Sequence, residues 1–224
     1  MEIVLMEKTE NYIPPAHWNF LTPFYDIGCI LLGFGKGFRH RIIKHLNLSG
    51  TERILDAGCG TGTLLIMLKE IYPSVVAEGL DPDEKALQIA YKKTQKNNFN
   101  IPLHRGAMNN MHFENSSFNV VLSSLVFHHL QKDNRLASLK ECLRVLKPGG
   151  RMLLIDFGPP RPYIVDRILS RLFSLFEPIE DGVEGRIPEL ILEVGFNKVN
   201  EIGKYLYGIT FYESYKQDEK GGES

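Results

Sequence analysis

The chain has 224 residues, 43% hydrophobic and 24% charged, which is enough for one α/β domain with a full core. A formal net charge of -1 argues against whole-molecule attraction to nucleic acid. The three cysteines, Cys29, Cys59 and Cys142, show no metal-ligand or disulfide spacing, so no metal site is expected.

The first ten residues carry acids and lack a signal-peptide layout, and the apolar run Ile27 to Phe34 is too short to cross a bilayer. A cytoplasmic protein is expected. No acid occurs from Ile27 to Thr51. Within that stretch Phe38, Ile42, Ile43 and Leu46 share a helical face, interleaved with Lys36, Arg39, Arg41 and Lys44. The spacing predicts a helix packed on the core with a solvated basic face. A second reading puts residues 36–46 against an anionic substrate or a membrane surface, without an integral span.

From Glu52 strands and helices alternate, which predicts a parallel sheet covered by helices. Arg53 to Ala57 is a buried strand, Thr61 to Ile71 a helix, Ser74 to Leu80 a strand and Asp83 to Lys96 a helix opened by Pro82. Strands follow at Ile101 to Gly106 and Phe118 to Ser123. Asp133 to Leu146 reads as an amphipathic helix with Leu136, Leu139, Leu143 and Leu146 on its buried face. Lys147-Pro148-Gly149-Gly150 stops it, and Arg151 to Asp156 is a fifth strand.

Beyond Gly158, the residues Val165, Ile168, Leu169, Leu172, Phe173 and Phe176 recur at helical spacing. A loop from Glu177 to Gly185, a helix from Pro188 to Val194 and two antiparallel strands, Asn197 to Gly203 and Tyr205 to Tyr212, complete the pattern. The expected divisions are an N-terminal helical lid (1–50), a cofactor-binding core (51–157), a helical cap over the substrate (158–186), a closing helix and strands (187–215) and a flexible tail (216–224).

The chemistry concentrates in Leu55-Asp56-Ala57-Gly58-Cys59-Gly60-Thr61-Gly62, between the first strand and the helix after it. Glycines let the backbone bend and approach a ligand closely. The spacing is GxGxG rather than the GxGxxG of dinucleotide sites. Asp56 would repel a pyrophosphate and suit a cationic amino acid. Asp81, closing the second strand, can accept hydrogen bonds from both hydroxyls of a ribose. Together they point to a nucleoside with an amino-acid extension. The competing reading is a plain glycine turn with a helix-capping aspartate.

With those residues in view, Leu55 to Gly62 resembles motif I of class I S-adenosylmethionine-dependent methyltransferases. Asp81 matches the family's ribose-binding acid. The runs Phe113 to Val121 with Phe127-His128-His129-Leu130, and Glu141 to Arg151, resemble the blocks around its fourth and fifth strands. The set is typical of the ubiquinone/menaquinone-biosynthesis-like branch. Asp181-Gly182-Val183-Glu184-Gly185-Arg186 also looks like small-molecule members.

The resemblance implies a Rossmann-like, doubly wound, seven-stranded sheet with its last strand antiparallel, and S-adenosyl-L-methionine as cofactor. It assigns cofactor contacts to Tyr25, Asp56, Gly58, Cys59, Gly60, Gly62, Asp81, Pro82, Ala107, Met108, Ser123 and Ser124. One position departs. Relatives carry Gly-Asp-Ala after the third strand, where the Asp reads the adenine amino group. Here the run is Gly106-Ala107-Met108, leaving a backbone contact or Asn109 for that task.

His128 and His129 follow the fourth strand, and either imidazole could take a proton near neutral pH. The alternative is that one caps or packs the helix start that follows. His112 and His17 are weaker candidates. Neither an Asn/Asp-Pro-Pro-aromatic run nor a Pro-Cys nucleophile occurs, so no nucleic-acid acceptor is expected. A small acceptor, quinone-like or lipid-like, follows if the apolar stripe of residues 158–186 lines the site. Tyr205, Tyr207 and Phe211 on one strand face would extend that wall. Ordinary packing, internal or in a homodimer, explains the same stripe, so the chain could be a monomer or a homodimer. A non-catalytic binding protein and an NAD-type oxidoreductase are the competing functions.

Overall fold

The computed structural model describes residues 33–164, 166, 168, 171 and 179–218. The chain divides into two compact units, one running to Met108 and the other starting at Asn109.

In the first unit, helix α1 (Lys36–Leu46) buries Phe38, Ile42, Ile43 and Leu46, the face the periodicity selects. Lys36, Arg41 and Lys44 are exposed, whereas Arg39 is half-buried and donates from Nη1 to the Phe34 carbonyl at 2.8 Å. Strand β1 (Arg53–Ala57) is fully buried after its first residue. It pairs in parallel with β2 (Val76–Asp81), which pairs in parallel with β3 (Leu103–Arg105). Helix α2 (Thr63–Ile71) connects β1 to β2, and α3 (Glu84–Lys96) connects β2 to β3. Asp83 caps α3 by accepting from the Lys85 N–H at 2.8 Å, so Pro82 lies one residue before the cap rather than inside the first turn.

The glycines of the turn also set the packing. A Cβ on Gly62 would lie 2.8 Å from the Ala90 Cβ, so a side chain there would push α3 away. Gly62 also has φ 71°, a conformation costly to other residues.

In the second unit, β4 (Phe118–Ser124) runs parallel to β5 (Leu146–Phe157), and β5 is antiparallel to β7 (Ile209–Tyr215). Strand β6 (Val199–Lys204) pairs antiparallel with β7. Across the seven-stranded sheet the order is β3-β2-β1-β4-β5-β7-β6, with the last strand antiparallel to both neighbours, as expected. Helix α4 (Lys132–Val145) contacts β5, and the short helices α5 (Glu180–Val183) and α6 (Ile187–Glu193) precede β6.

Four expectations are corrected. Strand β5 starts at Leu146, not Arg151, because Leu146 already pairs with Phe118 before a bulge brings Arg151 opposite Val120. Gly149 turns that bulge at φ 68°, and a Cβ on Gly150 would sit 2.8 Å from the Lys147 carbonyl. The fully buried residues of α4 are Arg135, Ser138, Leu139, Cys142 and Val145; Leu136 and Leu143 are only half-buried. A buried arginine turns the helix away from its leucine stripe. The stretch Glu177 to Gly185 contains helix α5 rather than being loop throughout. Finally, Tyr205 and Tyr207 lie at a 3-10 turn (Leu206–Gly208) between β6 and β7, with Tyr207 at φ 60°, so they share no strand face with the buried Phe211.

Of the apolar stripe between Val165 and Phe176, only Ile168 falls among the described residues, and it is helical and exposed. Tyr25 and His17 lie outside the described residues.

Candidate active site

At the end of β1 the chain turns through Gly58 (φ 87°), Gly60 (φ 52°) and Gly62 (φ 71°) into α2. Every one of these glycine N–H groups is used within the chain. Gly58 and Cys59 donate to the Leu80 carbonyl at 2.7 and 3.0 Å. Gly62 donates to the Cys59 carbonyl at 3.0 Å, and Gly60 to Asp81 Oδ2 at 2.8 Å. A phosphate-binding loop aims such groups at its ligand. Here those of Gly58, Cys59 and Gly60 go to the end of β2 and that of Gly62 to the turn itself. A Cβ on Gly60 would meet nothing within 4 Å, so the backbone there borders open space.

Asp81 is buried at the end of β2, with Oδ1 accepting from the Asp83 N–H at 2.9 Å and Oδ2 from Gly60. Each oxygen keeps a second lone pair. Burial pushes the Asp81 carboxyl up to about 6, against the pull of the Asp83 and Gly60 N–H groups. Asp56 is also buried; desolvation first, then the Asp81 charge, raise it to about 7, while Arg39 of α1 pulls it down. Two buried carboxylates that repel one another titrate as a pair, and a cation placed beside them relieves both costs. The Cys59 thiol is buried beside these acids and is pushed well above its ordinary range by burial and by their charge. Its Sγ lies 2.7 Å from where a Gly79 Cβ would stand, so the side chain packs under the strand end.

Lys93 of α3 was not singled out by the sequence pattern. Its ammonium donates to the hydroxyls of Thr61 and Thr63 at 2.9 and 2.8 Å, tying α3 to the start of α2. Pro82 and Ala107 are half-buried and Met108 is buried. The Gly106 N–H donates to the Asp81 carbonyl at 3.2 Å, which holds the chain after β3 against the end of β2. Asn109 directs its amide at Asn134 Oδ1, 3.0 Å away.

In the second unit, Ser123 is buried and Ser124 half-buried at the end of β4. Leu125 follows at φ 58°, uncommon for a branched residue, and its N–H bonds the Ile155 carbonyl at 2.8 Å. This kink starts a 3-10 turn, Phe127–His129. His128 is buried, and its Nδ1 lies 2.8 Å from Asp156 Oδ1. Asp156 Oδ2 also accepts from the His128 backbone N–H at 3.3 Å, and Oδ1 from Phe157 N–H at 2.7 Å. Burial alone would raise the Asp156 carboxyl, but the His128 imidazole and these donors hold it below the usual range. An ionised Asp156 accepts a proton-bearing Nδ1, which leaves Nε2 as the ring's basic atom. His129 is half-buried, its ring tilted 42° against the His128 ring at 3.9 Å between centroids, and Phe157 meets His128 edge-on at 5.0 Å. His112 is exposed.

Two residues of this arrangement escaped the sequence pattern. Asp156 had a readable signal: it is an acid closing the apolar run Met152 to Ile155. Arg135 had none, since it lies within a polar stretch of α4. It is buried, donates to the carbonyls of Leu130 and His128 at 3.0 and 3.3 Å, and pairs with buried Asp181. Among the described residues, no cluster of three metal-ligating side chains occurs and no helix is long and apolar enough to cross a membrane.

Residues 54–150 match the family model described as "Methyltransferase domain". Demethylmenaquinone methyltransferase of Lactobacillus johnsonii is 32% identical over 161 residues, 70% of this chain and 65% of that protein, so the chain spans less than two thirds of that relative. Ubiquinone/menaquinone biosynthesis C-methyltransferase UbiE of Geobacter sulfurreducens is 27% identical over 213 residues, 90% of this chain and 82% of that one. A crystal structure of a putative S-adenosyl-L-methionine-dependent methyltransferase from Methanococcus maripaludis shares the fold with a TM-score of 0.70 at 18% identity, over 96% of this chain and 99% of that one.

Residues 54–150 thus carry a methyltransferase domain, and the chain is similar along most of its length to a methyltransferase of ubiquinone/menaquinone biosynthesis. The cofactor of such a methyltransferase is S-adenosylmethionine, a nucleoside bearing a sulfonium, an ammonium and a carboxylate. An NAD-type oxidoreductase is not favoured, since the family model and the relatives are methyltransferases.

Proposed function

We propose that this methyltransferase transfers a methyl group to a hydroxyl-bearing aromatic acceptor, a quinol-like molecule, with His128 Nε2 receiving the acceptor's hydroxyl proton. The observation that carries this reading is the buried His128–Asp156 contact at 2.8 Å. An amine acceptor needs no such base, whereas a phenol becomes a strong nucleophile only on losing its proton. The printed names of the relatives concern demethylmenaquinone and ubiquinone/menaquinone biosynthesis, which supports the same acceptor class.

Cofactor contacts are proposed on the first unit. Asp81 takes the ribose hydroxyls on the free lone pairs of its two oxygens. Asp56 and the carbonyls of the glycine turn favour the cationic methionine end. Open space at Gly60 admits the close approach. Pro82, Ala107 and Met108 border the adenine. Ala107 has no carboxylate to accept from the adenine amino group, so that contact falls to backbone.

The cofactor supplies an electrophilic methyl carbon whose leaving group is a neutral thioether. The chain then has two tasks: to align the acceptor and to hold one proton. Asp156 fixes the tautomer in which Nδ1 carries hydrogen, and its charge stabilises the imidazolium once Nε2 is protonated. The electron pair left by the O–H proton is shared by the acceptor's oxygen and ring carbons; the attacking atom would bond the methyl carbon as the carbon–sulfur bond breaks, and a ring carbon that has attacked would then lose its own hydrogen as a proton to restore the aromatic ring.

The reading is tested by incubating the protein with methyl-labelled S-adenosylmethionine and reduced hydroxynaphthoquinone or hydroxybenzoquinone head groups. Label is expected in the organic phase. Intact S-adenosylhomocysteine binding with no label on any phenolic acceptor would instead favour a non-catalytic binding protein.

The carboxylate pair makes cofactor affinity depend on pH. Hydroxyl donors and an ammonium both favour ionised carboxylates, so protons compete with the ligand. Affinity for S-adenosylhomocysteine, read by calorimetry, should rise by roughly tenfold or more between about pH 5.5 and about pH 8. The sign for stability is opposite. Both carboxyls are raised above their unfolded values, so their favourable contribution exists at low pH and is lost as pH rises through about 6 and about 7. Asp56→Asn should therefore raise the thermal midpoint of the ligand-free protein at alkaline pH, leave it nearly unchanged in acid, and weaken cofactor binding. A flat affinity profile would remove the pair from the site.

A further inference from the structure

Helix α5 meets, through two adjacent residues, the neighbours that hold each half of the His128–Asp156 pair, Arg135 and Phe157. Asp181 is buried, and its carboxylate pairs with the guanidinium of buried Arg135. Arg135 in turn donates to the carbonyls of His128 and Leu130, which close the 3-10 turn carrying the imidazole. The end of such a turn leaves carbonyls without intrahelical partners, and a charged donor is a strong replacement. The guanidinium also lies 5.8 Å from the Phe127 ring centroid, so it grips the turn from a second side.

The next residue works on the other half. A Cβ on Gly182 would lie 2.0 Å from the Phe157 carbonyl oxygen, so α5 can rest against the end of β5 only with glycine at this place. Phe157 supplies the N–H that bonds Asp156 Oδ1, and its ring stands edge-on to His128. Moving the Phe157 backbone moves the oxygen that His128 Nδ1 addresses.

We propose that Asp181 and Gly182 are positioning residues that hold the His128 ring in register with Asp156; the proposal rests on the reading of His128 as proton acceptor. A buried guanidinium whose counter-charge is removed must find water or another acceptor. It then leaves the His128 and Leu130 carbonyls, and the turn loosens. Neither residue touches the acceptor, and neither belongs to the unit that carries the glycine loop, so cofactor affinity is the internal control.

The test uses the full chain with Asp181→Asn, Gly182→Ala and Asp181→Glu, and Leu139→Ala as a destabilised control from the buried face of α4. Nitrogen-15 histidine spectra of the ligand-free protein read the His128 Nδ1–H signal and its titration. That signal is expected to broaden or vanish in Asp181→Asn and Gly182→Ala, to return in part in Asp181→Glu, and to persist in Leu139→Ala despite a lower midpoint. In turnover, kcat should drop about tenfold or more with acceptor KM and S-adenosylhomocysteine affinity changed less than about threefold. Wild-type His128 spectra in Asp181→Asn and Gly182→Ala, or equal loss in Leu139→Ala, would overturn the proposal. Should Asp181→Asn fail to fold, Gly182→Ala alone decides it. Should the wild type methylate no phenol, the spectra still decide the positioning role, separately from the acceptor reading.

Discussion

Asp81→Ala is expected to weaken S-adenosylhomocysteine binding at least about a hundredfold, because two hydroxyl bonds to a charged acceptor are each worth about 1.5–3 kcal/mol. The substitution has a second effect. Asp81 also receives the Gly60 and Asp83 N–H groups, so alanine frees the glycine turn as well as removing the acceptor. Asp81→Asn separates the two contributions. Its amide keeps the volume and one acceptor oxygen while losing the charge, so an intermediate affinity is expected. Calorimetric titration of both variants checks this, and wild-type affinity in Asp81→Ala would refute the ribose assignment. Because the carboxylate is pushed up to about 6, the difference between wild type and Asp81→Asn should narrow as the pH is lowered below that value.

The second large effect is on turnover. Removing a positioned base costs typically about 10²–10⁴-fold, so His128→Ala should lower kcat on a phenolic acceptor within that range while cofactor affinity stays near wild type. Asp156→Asn should cost less in volume and charge balance yet still lower kcat strongly. Its amide can present N–H to Nδ1, which reverses the tautomer and moves the ring hydrogen to Nε2. Unchanged turnover in His128→Ala would remove it as the base, leaving His129, tilted against the same ring, as the remaining histidine of the turn.

Much of the first unit was legible because its signals are local. A strand ending in Asp56, three glycines at GxGxG spacing and Asp81 closing the next strand are each written within a few residues. The structure places β1 on the expected residues, while β2 and α2 shift by about a turn or less, within the range where element ends are hard to read. The errors of the second unit come from non-local contacts. Gly149 and Gly150 read as helix breakers but form a bulge, since Leu146 finds a pairing partner in Phe118. Helix α4 turns its face because Arg135, a residue that usually seeks water, has a buried carboxylate to meet. Tyr205 and Tyr207 leave the strand because a tight turn intervenes between β6 and β7.

The glycine turn and its two carboxylates were written in the sequence itself, because backbone conformation and strand-end chemistry are set by neighbours along the chain; the seven-stranded sheet with its antiparallel last strand came from the resemblance to class I methyltransferases. The sequence also singled out His128. Only the tertiary structure pairs that histidine with a carboxylate, since Asp156 stands 28 residues away on β5. It likewise decided where the N–H groups of Gly58, Cys59 and Gly60 go, because their partners, the Leu80 carbonyl and the Asp81 carboxylate, arrive from the neighbouring strand. Hydrogen bonds across a sheet depend on register, and register is a property of the folded chain rather than of any one segment.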